Sequence, residues 1–164
     1  MKKNLPAGTP KPHDSILQPG SLIFNDKLKK VDNMNNYFQW WRWQTGANWR
    51  SPKGPGSSIE NKGNFPVVHI AYEDAKAYCE WANRRLPTEA EWESAAQGNY
   101  KNAVFPWGDD LKLLNSNANT WQGNFPVKNE SIDGYEMIAP VKSFPANSIG
   151  IFDMVGNVWE ITDD

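Results

Sequence analysis

The chain has 164 residues, of which 39% are hydrophobic, and this predicts one domain with a single core. A formal net charge of -2 predicts that neither nucleic acid nor an anionic membrane surface is a partner. The one cysteine, Cys79, excludes a disulfide within the chain, and no apolar run is long enough to span a bilayer. The basic start lacks a following apolar run, so we expect no signal peptide here, and the compartment stays open between cytoplasm and periplasm.

The chain begins with a segment that does not predict regular structure. Residues 1–20 hold four prolines and two glycines, which predicts an extended, irregular conformation. Residues 21–24 predict a short strand that begins at Ser21. No base lies near Ser21 in sequence, and His13 falls in the Pro-rich segment, so a nucleophilic serine is not indicated.

Residues 37–50 hold four of the nine tryptophans. These rings either fill a core with little regular structure or line a groove in which Arg42 or Arg50 stacks beside them. Composition alone favours the core. Residues 51–64 predict turns and an exposed loop.

The middle of the chain predicts a strand and two helices. Residues 65–70 predict a short buried strand, and residues 72–84 predict a helix with one apolar face formed by Ala75, Tyr78, Cys79 and Ala82. Thr88 and Glu91 fit a capping box for a second helix, which Gly98 ends. On this face Cys79 is expected to be a buried small residue and not a reactive thiol.

Residues 99–145 show little periodicity and are rich in Asn and Asp. Either this is a plain surface loop, or Ca²⁺ bound to Asn and Asp oxygens holds it in place. Residues 105–109 predict a turn, and residues 139–144 and 149–155 predict short strands.

The last fifteen residues combine oxygen donors with large apolar side chains. Asp153 and Glu160 offer carboxylates, and Gly156 lets the backbone bend between them, so that main-chain carbonyls can face the same point. A hard cation such as Ca²⁺ prefers six to eight oxygen ligands of these kinds. The alternative is an acidic turn after a buried strand.

Several stretches together resemble one family, the formylglycine-generating enzymes, also called sulfatase-modifying factors. The resemblance runs from about residue 18 to the end and rests on GANWR (46–50), PVVHI (66–70), RLPTEAEWE (85–93), FPWG (105–108) and GNVWE (156–160). RLPTEAEWE and GNVWE mark the wider superfamily, whereas GANWR with the paired tryptophans before it is closer to the true generating enzymes.

The resemblance implies a compact α/β (α+β) fold of low secondary-structure content, related to the C-type lectin fold. It implies that residues 1–164 form one partial domain, and we expect the family's opening strands and its catalytic C-terminal segment to lie outside them. The family oxidises a cysteine of a sulfatase, within a Cys-x-Pro-x-Arg type motif, to Cα-formylglycine with O₂ and Cu(I).

The resemblance also implies two structural Ca²⁺ sites. The first would use the side chains of Asn119 and Asp133 with the carbonyls of Thr120 and Tyr135. The second would use the side chains of Asp153 and Glu160 with the carbonyls of Gly156 and Val158.

For catalysis the resemblance implies less. The family holds Cu(I) with two thiolates that follow the GNVWE stretch, so we expect no catalytic residue within this chain and do not assign Cys79 as a copper ligand. By position, Trp159 would lie near the copper pocket and Ser21 near the peptide groove, and both are predicted to bind substrate. The Trp-rich stretch at residues 40–50 would form part of the groove wall.

Two other functions stay open from the sequence. The same fold serves as a non-catalytic ligand- or protein-binding module. A sister enzyme that uses non-haem iron would need a His-rich iron site, which His13 and His69 do not supply.

Overall fold

The computed structural model describes residues 10, 14 and 18–164, and most of this part of the chain is loop. His13 and most of the predicted Pro-rich segment at residues 1–20 therefore lie outside the described residues. The regular elements are short helices and strands, and the longest described helix has 10 residues. The prediction of a mixed fold with low secondary-structure content is confirmed. No described helix has the length and apolar character needed to cross a membrane.

The N-terminal half contains a two-stranded antiparallel sheet. Strand β1 (Gly20–Phe24) pairs with strand β2 (Trp41–Thr45), in a register that runs from Gly20 opposite Thr45 to Phe24 opposite Trp41. A single 3₁₀ turn (Tyr37–Gln39) precedes β2. The strand predicted at residues 21–24 is confirmed. Strand β2 was not predicted, although its aromatic and polar side chains alternate as they do in strands.

An aromatic cluster packs this sheet against a distant loop. The ring of Phe24 lies 5.5 Å from Trp41 and 5.6 Å from Trp121, measured between centroids. The ring of Phe125 lies 5.7 Å from Trp40 and 5.2 Å from Trp121, both edge to face. Trp40 is buried. The core interpretation therefore holds for Trp40, whose ring contacts Phe125, whereas Trp41 is 37% exposed and contacts Phe24.

Helix α1 (Tyr72–Trp81) follows a stretch that is not a strand. Residues 65–70 have no strand structure, Val67 is 56% exposed, and His69 has a left-handed φ of 57°. The predicted buried strand is therefore wrong. The helix ends three residues earlier than predicted, because Asn83 turns into the left-handed region with φ 53°. Tyr78 is exposed and only Ala75 of the predicted apolar face is fully buried.

Helix α2 (Glu89–Gln97) has the predicted capping box. Glu91 N donates to Thr88 Oγ1 at 3.2 Å, and Thr88 N donates to Glu91 Oε2 at 2.9 Å. Arg85 forms a two-pronged ion pair with the same carboxylate, with both N–O distances 2.6 Å. The Arg85 side chain, followed by the Thr88 backbone, lowers the pKa of Glu91 to about 2. Gly98 ends the helix with φ 55°.

The rest of the chain is held mainly by side-chain hydrogen bonds. A 3₁₀ turn (Leu111–Leu113) leads into helix α3 (Leu114–Asn117), and β3 (Gly123–Asn124) pairs with β4 (Lys128–Asn129) in a short hairpin. The strands predicted at residues 139–144 and 149–155 are absent. In their place, Asn147 Oδ1 accepts hydrogen bonds from the backbone of Ile149 and Ile151, at 3.1 and 3.0 Å. These side-chain hydrogen bonds form a turn and not the backbone hydrogen-bond ladder of paired strands.

Candidate metal centre

The first predicted calcium site is organised around the carboxylate of Asp133. Its Oδ1 accepts from Tyr135 N at 2.9 Å, and its Oδ2 accepts from Thr120 N at 2.9 Å. The short span from Asp133 to Tyr135 is a local turn in which a carboxylate bonds to the backbone two residues later. Three of the four predicted ligand residues are therefore brought together across thirteen residues of sequence.

The amide of Gln122 lies between two of these predicted ligands. Gln122 is buried, and its Nε2 donates to Thr120 O at 2.5 Å and to Asp133 Oδ2 at 2.7 Å. A carbonyl oxygen and a carboxylate oxygen thus converge on one positively polarised group, as they would on a cation. Hard oxygen donors of these two kinds are what Ca²⁺ prefers, so the residues at this site fit the ion.

Asn119 presents only its oxygen for further bonding. Its side chain is buried, and Nδ2 donates to Met137 O at 2.8 Å and to Asn157 Oδ1 at 3.0 Å. Both N–H groups of the amide are therefore used. Within the described ranges no hydrogen bond reaches Oδ1, which leaves this atom available to a metal ion.

The four predicted ligands of the second site line one cavity of about 530 Å³ beside α2. The backbone bends where prediction requires it, because Asp153 has φ 59° and Gly156 has φ 75°. Asp153 Oδ2 accepts from Lys142 N at 2.8 Å, and Glu160 Oε2 accepts from Trp92 Nε1 at 2.8 Å. The two carboxylates line the same cavity, and each has one oxygen held by a hydrogen bond. Of the two donors, Trp92 also lines the cavity.

Two further carboxylates line the same cavity. Glu89 and Glu93 of α2 join Asp153 and Glu160, and none of the lining residues is basic. The sequence predicted only the capping box of Thr88 and Glu91 in this helix, so the place of Glu89 and Glu93 at the cavity was missed. A divalent cation would offset the repulsion among these four charges.

Carboxylates alone do not form a metal site in the described part of the chain. No group of three or more His, Cys, Asp or Glu side chains lies close enough there to bind a metal. Each predicted set has two acidic or amide side chains and two carbonyls, so any bound cation would depend on main-chain oxygens. This matches the preference of Ca²⁺ for mixed oxygen ligands.

The two predicted sites are in direct contact. Asn119 and Gly156 form a parallel β-bridge, and Asn157 N donates to Asn119 O at 2.8 Å. A side chain at Gly156 would collide with this carbonyl oxygen. The close approach therefore requires glycine, for a reason of space as well as of backbone conformation.

The end of the described chain is fastened to both long helices. Asp163 N donates to Pro87 O at 2.9 Å, and Tyr72 Oη donates to Asp163 Oδ1 at 2.7 Å, which raises the pKa of the Tyr72 phenol. Glu89 N, at the first turn of α2, donates to Asp164 Oδ1 at 2.6 Å. Negative charge is favourable at this end of a helix. These contacts hold the wall of the second site against α1 and α2.

The two predicted substrate-binding residues lie in different surroundings. Trp159 is fully exposed and lines the cavity of the second site. Ser21 is half-buried in β1 opposite Gln44 and is not among the residues that line this cavity. Of the predicted stacking arginines, Arg50 lies over Trp49 at 3.7 Å from the ring centroid.

A family model described as "Sulfatase-modifying factor enzyme 1-like domain" matches residues 16–164. The chain belongs to this family. Members of the family are also similar to it over most of its length. It is 52% identical over 126 residues to the formylglycine-generating enzyme of Mus musculus, covering 76% of this chain and 34% of that protein. It is 49% identical over 150 residues to the enzyme of the same name from Mycobacterium tuberculosis, covering 89% of this chain and 48% of that protein.

A third relative carries a different name. The chain is 45% identical over 147 residues to the "Inactive C-alpha-formylglycine-generating enzyme 2" of Mus musculus, covering 87% of this chain and 47% of that protein. Among solved structures, PvdO from Pseudomonas aeruginosa matches with a TM-score of 0.52 and 34% identity, over 62% of this chain and 39% of that one. The chain thus spans about a third to a half of the length of the relatives it matches.

Proposed function

We propose that the protein containing this chain oxidises a cysteine of a sulfatase to Cα-formylglycine with O₂ and Cu(I). The observation that carries this proposal is the 49–52% identity to two proteins named formylglycine-generating enzymes. The substrate would be a sulfatase segment with a Cys-x-Pro-x-Arg type motif. Because the chain matches only part of those enzymes, it would supply the scaffold and part of the substrate surface.

Copper does not fit the residues of this chain. Cu(I) prefers soft thiolate ligands, and the family chemistry needs two, whereas Cys79 is the only cysteine. Cys79 lies on α1 and is half-buried, so it is less buried than predicted. The thiolates would therefore have to come from outside these 164 residues, and no step of the reaction is assigned to copper on this chain.

Within the proposal, the chain's own residues shape the surface that meets the substrate. The exposed indole of Trp159 offers a large apolar contact for an extended peptide, at the rim of the acidic cavity. Glu89 and Glu93, which are not among the proposed calcium ligands, give that cavity the charge that attracts the arginine of the motif. Ser21 lies on β1, where the neighbouring strand carries partly exposed tryptophans.

Calcium is the second part of the proposal. We place one ion among Asn119, Thr120, Asp133 and Tyr135, and the other among Asp153, Gly156, Val158 and Glu160. The convergence of Thr120 O and Asp133 Oδ2 on one amide supports the first site, and the shared cavity supports the second. A relation to the C-type lectin fold belongs to the same proposal.

An assay with a synthetic peptide tests the catalytic proposal. A peptide with a Cys-x-Pro-x-Arg motif is incubated with O₂ and Cu(I), and formylglycine is detected by mass spectrometry. The complete protein is expected to convert the peptide, and the 164-residue chain alone is expected not to. A peptide with serine in place of the cysteine is the control. Conversion by the chain alone would show that the copper assignment is wrong, and no conversion by the complete protein would remove the oxidase proposal.

A non-catalytic binding module is the second candidate. The 45% identity to a relative named as inactive supports it. In this case the complete protein would bind the same peptide, measured by fluorescence anisotropy, without forming formylglycine. Substitution Trp159→Ala is expected to weaken peptide binding in either case, because it removes a fully exposed indole from the cavity rim.

A further inference from the structure

Asn157 belongs to both predicted calcium sites by its position. In sequence it lies between Gly156 and Val158, the two residues whose carbonyls are predicted to bind the second ion, and it lines the same cavity. In space it touches the first site, because its N donates to Asn119 O at 2.8 Å. Its φ of 61° lies in the left-handed region, which is uncommon for residues other than glycine.

A reciprocal pair of hydrogen bonds with the backbone fixes the Asn157 amide. Ala139 N donates to Asn157 Oδ1 at 2.9 Å, and Asn157 Nδ2 donates to Ala139 O at 3.2 Å. A backbone N–H can only donate and a carbonyl can only accept, so this pair determines which end of the side-chain amide carries the oxygen. Ala139 is buried, so the two backbone groups that bind the Asn157 amide are held in place.

The fixed amide of Asn157 in turn orients Asn119. Asn157 Oδ1 also accepts from Asn119 Nδ2 at 3.0 Å. Because this acceptor requires an N–H opposite it, the NH₂ group of Asn119 faces Asn157 and the oxygen faces away. A cation needs that oxygen and is repelled by the NH₂ group, although the two groups have nearly the same shape. The orientation of Asn119 therefore decides whether its site can hold a metal.

We propose that Asn157 is a positioning residue that couples the two calcium sites, so that an ion at one site strengthens binding at the other. This rests on the calcium assignment of the proposed function. An ion bound by Gly156 and Val158 orders the backbone that carries Asn157. That order reaches the amide of Asn119 through the hydrogen bond between the two side chains, in addition to the bond from Asn157 N to Asn119 O. The first site then binds its ion with less loss of conformational freedom. The effect is reciprocal, as any coupling between binding sites must be.

Calorimetric titration of the 164-residue chain with Ca²⁺ measures this coupling. Glu160→Gln disables the second site and Asp133→Asn disables the first, so each variant gives a single-site association constant. The product of the two stepwise constants of the unmodified chain is divided by the product of the single-site constants. This ratio is the coupling factor, and it does not depend on which site fills first. We expect a ratio of about fivefold or more.

Asn157→Gly tests the role of the side chain itself. Glycine adopts the left-handed backbone without strain, so the change removes the amide and keeps the loop path. In this background the same ratio is expected to fall to about 1. Asn61→Gly is the matched control, because Asn61 also has φ 61° and is exposed away from both sites. It is expected to leave the ratio unchanged.

The outcomes separate this proposal from the one it rests on. Two bound ions with a ratio near 1 in the unmodified chain overturn the coupling and leave calcium binding intact. That measurement needs no Asn157 variant, so it stands even if Asn157→Gly does not fold. An unchanged ratio in Asn157→Gly overturns the role of Asn157 alone. An unmodified chain that binds no Ca²⁺ overturns the calcium assignment and the coupling together.

Discussion

Substitution Gly156→Ala is the most direct test of the contact between the two predicted sites. Gly156 has φ 75°, and a Cβ added there would collide with Asn119 O and lie 3.0 Å from Asn119 C and 3.2 Å from Thr120 Cγ2. Two of these three atoms belong to the backbone, which cannot rotate away as a flexible side chain can. The β-bridge between Asn119 and Gly156 would have to open.

The magnitude follows from two contributions. An alanine in the left-handed region costs about 1–2 kcal/mol of stability relative to glycine. Forcing a methyl group into a packed contact costs about 1–3 kcal/mol more. The free energy of unfolding of Gly156→Ala is therefore expected to fall by about 2–5 kcal/mol. This is a large share of the stability of a single domain.

Gly150→Ala isolates the first contribution, the backbone cost of a left-handed alanine. Gly150 has φ 85°, close to that of Gly156, but a Cβ added at Gly150 would meet no other atom within 4 Å. This variant is expected to lose only the backbone contribution of about 1–2 kcal/mol. Urea titrations of both variants, monitored by tryptophan fluorescence, give the difference between their free energies of unfolding when the two curves have equal m-values. Equal destabilisation of the two variants would refute the claim that the sites are in steric contact at Gly156.

Three further predictions concern the cap, the pH dependence and the metal. Thr88→Ala removes the acceptor for Glu91 N and is expected to lower the free energy of unfolding by about 1 kcal/mol in urea titration; no change would refute the capping box. The folded pKa of Glu91 is about 2, below the ordinary value of 4.5, so its contribution to stability is present above pH 4.5 and is lost as the pH falls towards 2. In unfolding titrations across this range, Glu91→Gln is expected to flatten the pH dependence, and parallel curves would contradict the assignment. Chelation of Ca²⁺ is expected to lower the melting temperature, since saturation at 100 times Kd contributes about 2.7 kcal/mol per site, and an unchanged melting temperature would remove the calcium proposal.

The parts of the fold that were predicted correctly depend on local sequence. The capping box of α2 lies within four residues, and Gly98 ends the helix because glycine readily adopts the positive φ found there. The errors lie where distant partners decide the structure. Residues 149–155 have the composition of a strand, but Asn147 Oδ1 accepts the backbone N–H groups of Ile149 and Ile151. No residue in the stretch itself indicates this.

The same division holds for the candidate site. The resemblance to a family gave the eight predicted calcium ligands. Hydrogen bonds link three residues of the first set, and the four residues of the second set line one cavity. Gln122 and Asn157 were missed, although Asn157 lies inside the GNVWE stretch. Their partners are 11 and 38 residues away along the chain, and an amide in a motif does not show what it will bond to.

The composition of the core explains why these amides matter. The buried apolar residues of the described chain are Ile23, Trp40, Pro126 and four alanines, which is little apolar area for holding long loops in place. The buried polar side chains, Asn119 and Gln122, lie at the first predicted site. A buried amide is stabilising only when all its bonds are made, and it then fixes one arrangement of the loops around it. The contacts that hold these loops are therefore the ones that surround the first proposed calcium site, so a change that damages the scaffold is expected to weaken any calcium binding there.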